Sequence, residues 1–290
     1  MNKLLRKLVP KFIRRPIEKN KLKSTVLNHY NSTEKEFIDQ EKSDALEYLK
    51  ESGFSVFPYP FQEKYKRSDI EVFIDSSNQL KYIITEGKRL YFKRKSSKRG
   101  VRRNYNFLKI EQDKKSPHRY LTDRFDLEKN DILVDVGAAE GNLALEVIEK
   151  VKKVYLFETD ERWIEALQAT FAPWKDKVVI VNKFVSDVND AENVSLDEYF
   201  KDKESFNFLK VDAEGAEGDI LKGAEKIIAE NQNLKIALCC YHKPYDEDKF
   251  KAYLKDRKFE VSFADGYMIF PEPKTFKPPY LRRGVLRAVR

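Results

Sequence analysis

The second half of this 290-residue chain alternates short apolar runs with helical patterns, and this alternation constrains the fold more than any other feature. The apolar runs lie at 132–136, 154–157, 178–182, 206–211 and 234–241. Strands that are apolar on both faces and are joined by helices are typical of a parallel sheet that is covered on both sides. The sequence therefore predicts an α/β fold with a Rossmann-like sheet.

A hairpin pattern follows the last of these helices. The apolar stretches 259–264 and 267–270 flank Asp265-Gly266, a dipeptide that favours a tight hairpin turn. A hairpin at the end of a parallel array adds one antiparallel strand to the sheet. The usual dinucleotide-binding sheet lacks such a strand, so the pattern indicates a different Rossmann-like fold.

Three parts are predicted along the chain. Residues 1–125 form a basic N-terminal α+β extension that covers the site or binds an acceptor, 126–272 form the core domain, and 273–290 form a basic C-terminal tail. In the extension, we expect a helix over 33–53, capped by Ser32 or Thr33. Short strands at 70–74, 81–85 and 89–92 should follow this helix. The charge run at 93–105 is expected to be a solvated loop.

The net charge of +8 is unevenly distributed. The segments 1–23, 86–105 and 274–290 together carry +22, and the remaining 230 residues carry −14. A nucleic-acid groove in the core is therefore not expected, whereas the basic segments suit a membrane surface or an anionic partner. The only cysteines, 239 and 240, cannot form a disulfide framework, which favours a cytoplasmic protein, with the inner face of the membrane as the alternative.

The N-terminal segment 1–23 has two interpretations. Its leucines and cations suit an amphipathic helix in peripheral contact with anionic lipid, and they equally suit a solvated terminus. It lacks the unbroken apolar core of a secretory signal. No run of about 18 apolar residues occurs, so no membrane-spanning helix is expected.

The turn after the first predicted strand indicates a ligand without phosphate. It reads Asp-Val-Gly-Ala-Ala-Glu-Gly at 135–141, where Gly137 allows a sharp turn and a close approach to the ligand. Ala139 and Asn142 stand where the dinucleotide-binding pattern requires glycine. Glu140 would place a negative charge at the helix N-terminus, where a pyrophosphate needs a positive field. S-adenosylmethionine is a ligand that fits these constraints.

Acidic residues end the next two strands. Glu158 lies 23 residues after Asp135, a spacing that favours a carboxylate on the ribose hydroxyls. The alternative is that it caps the following helix, a role for which Asp160 is better placed. Asp187, after the third strand, is a candidate contact of the adenine amino group.

Ionisable residues end the fourth and fifth strands. Lys210, Asp212 and Glu214 alternate along one side of a buried strand, where charges are costly unless they are paired or used. His242 ends the fifth strand and is a candidate general base. The alternative interpretation is that these residues have a structural role, in which Lys210 and Asp212 form an ion pair with each other and His242 only packs against its neighbours. The catalytic prediction is that His242 takes the proton, Asp212 or Glu214 orients it, and Lys210 tunes the carboxylates.

These motifs, in this order, resemble the FkbM-type methyltransferases, a class I S-adenosylmethionine-dependent family. The matching segments are 135–141, 157–160, 185–187, Leu-Lys-Val-Asp-Ala-Glu-Gly-Ala-Glu at 209–217, 220–224 and Cys-Tyr-His at 240–242. The resemblance covers residues 131–270. It implies the class I methyltransferase sheet, mostly parallel with one antiparallel strand.

The resemblance also implies O-methylation, commonly of a sugar hydroxyl in a cell-surface glycan, a lipopolysaccharide or a natural product. The acceptor is therefore expected to be a glycan or sugar, anionic or lipid-linked. The predicted cofactor-binding residues are Asp135, Gly137, Ala138, Ala139, Glu140, Gly141, Asn142, Glu158, Thr159, Ser186, Asp187 and Asp212. The predicted substrate-binding residues are His118, Arg119 and Tyr241.

Three rival interpretations stay open. No metal is predicted, but Asp212, Glu214 and His242 could hold Mg²⁺ in a metal-assisted reaction. The sequence Lys277-Pro-Pro-Tyr280 resembles a motif of nucleic-acid base methyltransferases, although it lies far from the fourth strand, where that motif belongs. A non-catalytic binding protein on the same fold is the third alternative.

Overall fold

The computed structural model describes residues 11–32 and 38–290, with side chains described from Pro16 onward. Within them the α-helices are α1 (Lys11–Asn31), α2 (Gln40–Ser52), α3 (Lys98–Glu111), α4 (Asn142–Val147), α5 (Glu161–Phe171), α6 (Leu196–Tyr199), α7 (Glu217–Lys222), α8 (Glu225–Glu230) and α9 (Asp246–Asp256). The strands are β1 (Phe73–Ile74), β2 (Lys81–Thr85), β3 (Lys88–Phe92), β4 (Ile132–Val136), β5 (Lys153–Phe157), β6 (Val178–Val181), β7 (Phe184–Val185), β8 (Asn193–Val194), β9 (Phe208–Val211), β10 (Lys235–Cys239), β11 (Glu260–Phe263) and β12 (Val285–Val289).

A seven-stranded sheet forms the centre of the molecule, in the order β11-β12-β10-β9-β4-β5-β6. All neighbouring strands are parallel except β12, which is antiparallel to both β10 and β11. Strands β4 and β9 are buried along their whole length, because apolar layers cover both faces of the sheet. Leu133 packs into one layer, while Ile132 and Val134 pack into the other. The predicted α/β fold, mostly parallel with one antiparallel strand, is confirmed.

The antiparallel strand is not the one that was predicted. Strand β11 pairs with β12 and not with residues 267–270, of which Met268 makes an isolated bridge to Arg282. The Asp265-Gly266 turn instead directs the chain toward the N-terminal extension. There, the Gly266 amide donates to Glu41 and the Ile269 amide donates to the Val56 carbonyl. The hairpin prediction was wrong because local turn signals do not reveal these long-range partners.

The predicted C-terminal tail is likewise part of the core. Residues 285–289 form an interior strand of the sheet, so a boundary at residue 272 does not separate them from the domain. Two cations of this segment are buried and bind backbone carbonyls. Nη1 of Arg282 donates to the Tyr241 carbonyl at 2.7 Å, and Nε of Arg287 donates to the Tyr120 carbonyl at 2.9 Å. These two charges therefore stabilise the fold.

The N-terminal extension contains helices and the antiparallel sheet β1-β2-β3, as the α+β prediction anticipated. Helix α2 is capped by Asp39, whose carboxylate accepts from the Lys42 amide at 2.8 Å, and not by Ser32 or Thr33. Residues 33–37 of the predicted helix lie outside the described residues.

The charge run at 93–105 contains the start of helix α3, so the loop prediction was wrong. Ser97 caps this helix by accepting from the Gly100 amide at 3.1 Å, and Val101 on the first turn of the helix is fully buried. The cations conceal the amphipathic pattern in the sequence. Just before the helix, Lys93 lies 2.7 Å from Asp160 and Arg94 lies 2.6 Å from Glu165.

Residues 1–10 of the predicted membrane-contacting segment lie outside the described part. In α1, Val26 and Tyr30 are buried, and the Tyr30 hydroxyl accepts from the Leu281 amide at 3.1 Å. No helix within residues 11–32 and 38–290 is long and apolar enough to cross a membrane.

Candidate functional site

Two cavities lie at the carboxyl ends of β4, β5 and β9, where ligands bind in open α/β sheets. The larger cavity has a volume of about 350 Å³ and lies against Phe157, Glu158 and the end of β6. The smaller cavity has a volume of about 170 Å³ and extends toward helix α3. Gly137, Ala139 and Asp212 line both, so the two cavities are neighbours on either side of these residues.

Gly137 forms the turn between the cavities. Its φ is +76°, and a Cβ atom added there would lie 1.9 Å from the backbone oxygen of Asp212. No other residue fits this position. Gly141 has the same φ, and its Cβ would lie 2.8 Å from side-chain atoms of Leu167 and Phe171, so the missing side chain allows the start of α4 to pack closely against α5.

Glu158 lines the larger cavity, as the spacing predicts. Its Oε2 accepts from the Ala139 amide at 2.9 Å, and its Oε1 accepts from the Thr159 amide at 2.8 Å. The carboxylate therefore links the ends of β4 and β5. Asp160 caps α5 by accepting from the Arg162 amide at 3.0 Å, so the capping role belongs to Asp160.

Lys210 and Asp135 form a buried ion pair beneath the cavities. Nζ of Lys210 lies 2.8 Å from Oδ1 of Asp135 and donates to the Gly137 carbonyl at 2.7 Å. Burial opposes the ammonium charge, but Asp135 outweighs this effect and raises the pKa of Lys210. Burial raises the pKa of the Asp135 carboxyl, an effect that Lys210 opposes. The pair joins adjacent central strands.

Asp212 is the centre of a polar cluster. Its Oδ2 accepts from the Tyr120 hydroxyl at 2.8 Å and its Oδ1 accepts from the Tyr241 hydroxyl at 3.2 Å. Nε2 of His118 lies 3.7 Å from Oδ2, and Nε2 of His242 lies 3.6 Å from Oδ1. Burial opposes ionisation, but the nearby Lys210 ammonium and the histidines lower the pKa of Asp212. The carboxylate is therefore charged at neutral pH.

His242 is paired with Glu217. Its Nδ1 lies 2.8 Å from Oε1 of Glu217, an oxygen that also accepts from the Ala213 amide at 3.0 Å. Burial favours the neutral imidazole, but Glu217 and Asp212 outweigh it and raise the pKa of His242. The sequence prediction named Asp212 or Glu214 as the orienting group. The motif at 209–217 contained Glu217, but its contact depends on how α7 packs against the end of β10.

His118 is brought to the same cluster and has the opposite electrostatic environment. Burial lowers its pKa to about 4, and the attraction of Asp212 offsets only part of this effect. Its Nε2 lies 3.3 Å from the Tyr241 hydroxyl, and the Gln112 amide donates to its backbone carbonyl at 3.1 Å. His118 is therefore neutral at physiological pH.

Two further carboxyl groups, those of Glu111 and Glu140, line the smaller cavity. Burial raises the pKa of Glu140 to about 7 and raises that of Glu111 well above its usual range. Glu111, on the last turn of α3, was not predicted as a site residue, because its raised pKa depends on a burial that the sequence does not reveal. Ala138 and Asn142 line the smaller cavity, and Thr159 lines the larger one.

Six predicted site residues do not line either cavity, namely Arg119, Gly141, Ser186, Asp187, Tyr241 and His242. Tyr241 and His242 instead contact Asp212, which lines both cavities, at 3.2 and 3.6 Å. Val185 lines the larger cavity, but Ser186 and Asp187 do not, and Asp187 lies 3.7 Å from Lys222 instead. Arg119 makes a two-pronged ion pair with Glu146, at 3.0 and 2.6 Å. Glu214 lines the larger cavity with an 88% exposed side chain, and it lies 3.9 Å from Nε2 of His242.

The residues that could hold a metal ion differ from the predicted set. Within the described residues, ligand atoms of Asp212, Glu217 and His242 lie within 4.8 Å of one another, so Glu217 takes the place of Glu214. The segment Lys277-Pro-Pro-Tyr280 does not line the cavities, and Tyr280 packs with its ring centroid 5.3 Å from that of His29.

Comparison with known proteins identifies the family. The model of the methyltransferase FkbM domain matches residues 91–267. Solved structures similar to the chain include methyltransferase FkbM from Methylobacillus flagellatus, with 18% identity, coverage of 65% of this chain and 59% of that one, and a TM-score of 0.45. Precorrin-6y C5,15-methyltransferase from Geobacter metallireducens is 13% identical, with 58% and 84% coverage and a TM-score of 0.40.

The match to a curated relative covers a shorter segment of the chain. Ribosomal RNA small subunit methyltransferase A from Staphylococcus haemolyticus is 35% identical over 63 residues, which are 22% of this chain and 21% of the relative. The chain thus spans about a fifth of this relative and 59% of the FkbM structure. The family match covers more than half of the chain. The chain therefore belongs to the FkbM methyltransferase domain family, and its sheet forms an S-adenosylmethionine-dependent methyltransferase domain.

Proposed function

We propose that this protein transfers a methyl group to a sugar hydroxyl of a glycan or glycoconjugate. The observation that carries the proposal is the group of His242, Asp212 and Glu217 at the end of the sheet, of which Asp212 lines both cavities. A sugar hydroxyl is a weak acid, and a positioned base accelerates the loss of its proton by about 10²–10⁴-fold. The pairing with Glu217 equips His242 for that role.

The cavity walls fit S-adenosylmethionine. Glu158 lines the larger cavity and would accept hydrogen bonds from the ribose hydroxyls, and Gly137 would allow the ligand to pass close to the backbone. Asp135, Glu140 and Asn142 surround the smaller cavity with groups that suit an ammonium. When bound, the cofactor supplies an electrophilic methyl group on a sulfonium. The positive charge of this group is compatible with the ionised Asp212 between the cavities.

His242 accepts the hydroxyl proton at Nε2 in this mechanism. Glu217 fixes the ring through Nδ1 and stabilises the imidazolium that forms, and Asp212 adds a second negative charge 3.6 Å from Nε2. His118 stays neutral and helps to hold the Tyr241 hydroxyl on Asp212. Glu217 is thus a positioning residue for the base.

The surroundings of His242 suit a sugar better than a nucleic acid. The half-buried ring of Phe270 lies 5.1 Å from the buried rings of Tyr241 and His242, and its face would suit the C–H bonds of a sugar. The exposed Glu214 carboxylate nearby would repel a phosphate backbone. A cytoplasmic glycan precursor, soluble or presented at the membrane, is the acceptor that this site fits.

Replacement of Gly137 tests the cofactor site. In Gly137→Ala, the new Cβ meets the Asp212 carbonyl, so we expect the affinity for S-adenosylmethionine in calorimetry to fall at least tenfold. The control is Gly87→Ala, which has the same φ of +76° but no atom within 4 Å of the added Cβ. It should lose about 1–2 kcal/mol of stability and keep normal affinity. Equal affinities for the two variants would refute the assignment.

Glu217→Gln tests the base through a pH profile. Because the pKa of His242 is raised, kcat/KM should increase with pH as His242 loses its proton, and the midpoint of this increase should lie above the usual pKa of 6.5. In Glu217→Gln the loss of the carboxylate charge destabilises the imidazolium. The rising limb of the pH profile should therefore move to lower pH by about one unit or more. His242→Gln should lower turnover about 10²–10⁴-fold and remove the limb.

The matched control for this profile is Glu230→Gln, because Glu230 is exposed on α8. It should keep the wild-type curve. Near-normal turnover of His242→Gln with unchanged cofactor affinity would show that another group takes the proton.

A labelling experiment tests the acceptor class. The protein is incubated with methyl-labelled S-adenosylmethionine and separate host fractions of glycan, RNA and protein. We expect label in the glycan fraction that survives mild alkaline hydrolysis, because a methyl ether resists base and a methyl ester does not. Label confined to RNA would instead support a nucleic-acid methyltransferase, and incorporation into none of the fractions while the cofactor binds would favour a binding protein.

A further inference from the structure

A third and larger cavity lies beside the site. It has a volume of about 640 Å³ and is bounded by the β2–β3 turn, the end of α3, the segment 112–119 and α4. Leu108, Gln112 and Asn142 line both this cavity and the smaller cavity of the cofactor site. It is not needed to hold the cofactor, and we call it the lysine cleft.

Cations outnumber carboxylates on the walls of the lysine cleft. The cations are Lys64, Lys88, Lys109, Lys114, Lys115 and Arg119, and the carboxylates are Glu86, Asp113 and Glu146. Each carboxylate faces a cation: Asp113 lies 2.5 Å from Lys64, Glu146 lies 2.6 Å from Arg119, and Glu86 lies 3.9 Å from Lys88. The wall charges that remain after this pairing are positive.

Three lysines supply this excess. Among the described residues, no carboxylate lies within 4 Å of the ammonium of Lys109 or Lys115, and Lys109 lies 5.1 Å from the ring centroid of Tyr65. Lys114 lies 3.9 Å from Asp123, but both side chains are almost fully exposed, at 87% and 96%, so this pair is weak. Three ammonium groups along one cleft form a site for a compact anion of multiple charge.

We propose that the lysine cleft binds the phosphate or diphosphate through which the acceptor sugar is joined to its carrier. The inference rests on the proposed methylation of a sugar and specifies its substrate class. Nucleotide-linked and lipid-linked sugars share this diphosphate chemistry. The cations of 93–103 do not line the lysine cleft, and two of them are paired with carboxylates: Lys93 with Asp160 and Arg94 with Glu165.

Gln112 lies between the lysine cleft and the cluster of Asp212 and His242. The side chain of this residue accepts from the Tyr120 amide at 3.3 Å and donates to the His118 carbonyl at 3.1 Å. It is therefore fixed between the lysine cleft and the Asp212 cluster. A phosphate held in the cleft would place the attached sugar across Gln112, toward Asp212 and His242.

The test compares two triple variants that lose the same charge. Lys109→Gln/Lys114→Gln/Lys115→Gln removes the cleft lysines, and Lys201→Gln/Lys226→Gln/Lys255→Gln removes three exposed lysines outside it. Binding of inorganic diphosphate is measured by calorimetry at fixed ionic strength. We expect the cleft variant to bind at least tenfold more weakly than the wild type and the control variant to bind normally.

Two further probes identify the source of the diphosphate: a nucleoside diphosphate sugar in solution, and phosphatidylcholine vesicles that contain a polyprenyl diphosphate sugar. The natural carrier is the one whose sugar conjugate binds more weakly to the cleft variant than to the control variant. Unchanged diphosphate binding in the cleft variant, or an equal loss in both variants, would overturn the inference. The cleft variant should keep its affinity for S-adenosylmethionine and its methylation of a neutral sugar. An error in the assignment of the cleft can therefore be told apart from an error in the proposed methyltransferase activity.

Discussion

The buried ion pair of Lys210 and Asp135 is the interaction on which the geometry of the site depends. It connects the central strands β9 and β4 at their carboxyl ends, and the same ammonium holds the carbonyl of Gly137. Removal of either partner would leave an uncompensated buried charge, at a cost of about 3–5 kcal/mol. The turn between the two cavities is thus fixed by electrostatics as well as by the absence of a side chain at Gly137.

The same ammonium determines the charge of the polar cluster around Asp212. Because Lys210 keeps Asp212 ionised, both neighbouring histidines experience a negative charge at similar distances, 3.7 Å for His118 and 3.6 Å for His242. What distinguishes the histidines is Glu217, which contacts His242 alone. Burial therefore dominates at His118, while the second carboxylate dominates at His242. Burial thus lowers the pKa of His118, whereas the pKa of His242 is raised.

Much of this arrangement could be predicted from the sequence, because parallel strands that end at one edge bring their last residues together. Lys210, Asp212 and His242 were assigned in this way, and the structure brings them together: Lys210 and Asp212 line the smaller cavity, and His242 lies 3.6 Å from Asp212. Glu158 followed from the spacing between successive strand ends. These predictions needed only the order of the strands.

Features that depend on long-range partners could not be predicted. Strand β12 has Arg287 in its middle, and only the structure shows that this guanidinium binds the carbonyls of the segment over the site. Helix α3 carries so many cations that its buried Val101 gave no clear pattern. The pairing of Glu217 with His242 joins α7 to the end of β10, a contact that is set by packing and not by spacing.

The central claim is that Glu217 makes the pKa values of the two histidines beside Asp212 shift in opposite directions. Nitrogen-15 NMR of the imidazole rings tests it directly, and with three histidines in the chain the signals can be assigned by single replacements. The account predicts that His118 stays neutral from pH 8 to about pH 5, since its pKa is about 4, while His242 titrates above 6.5. A protonated His118 at neutral pH, or a His242 that titrates below 6.5, would contradict it.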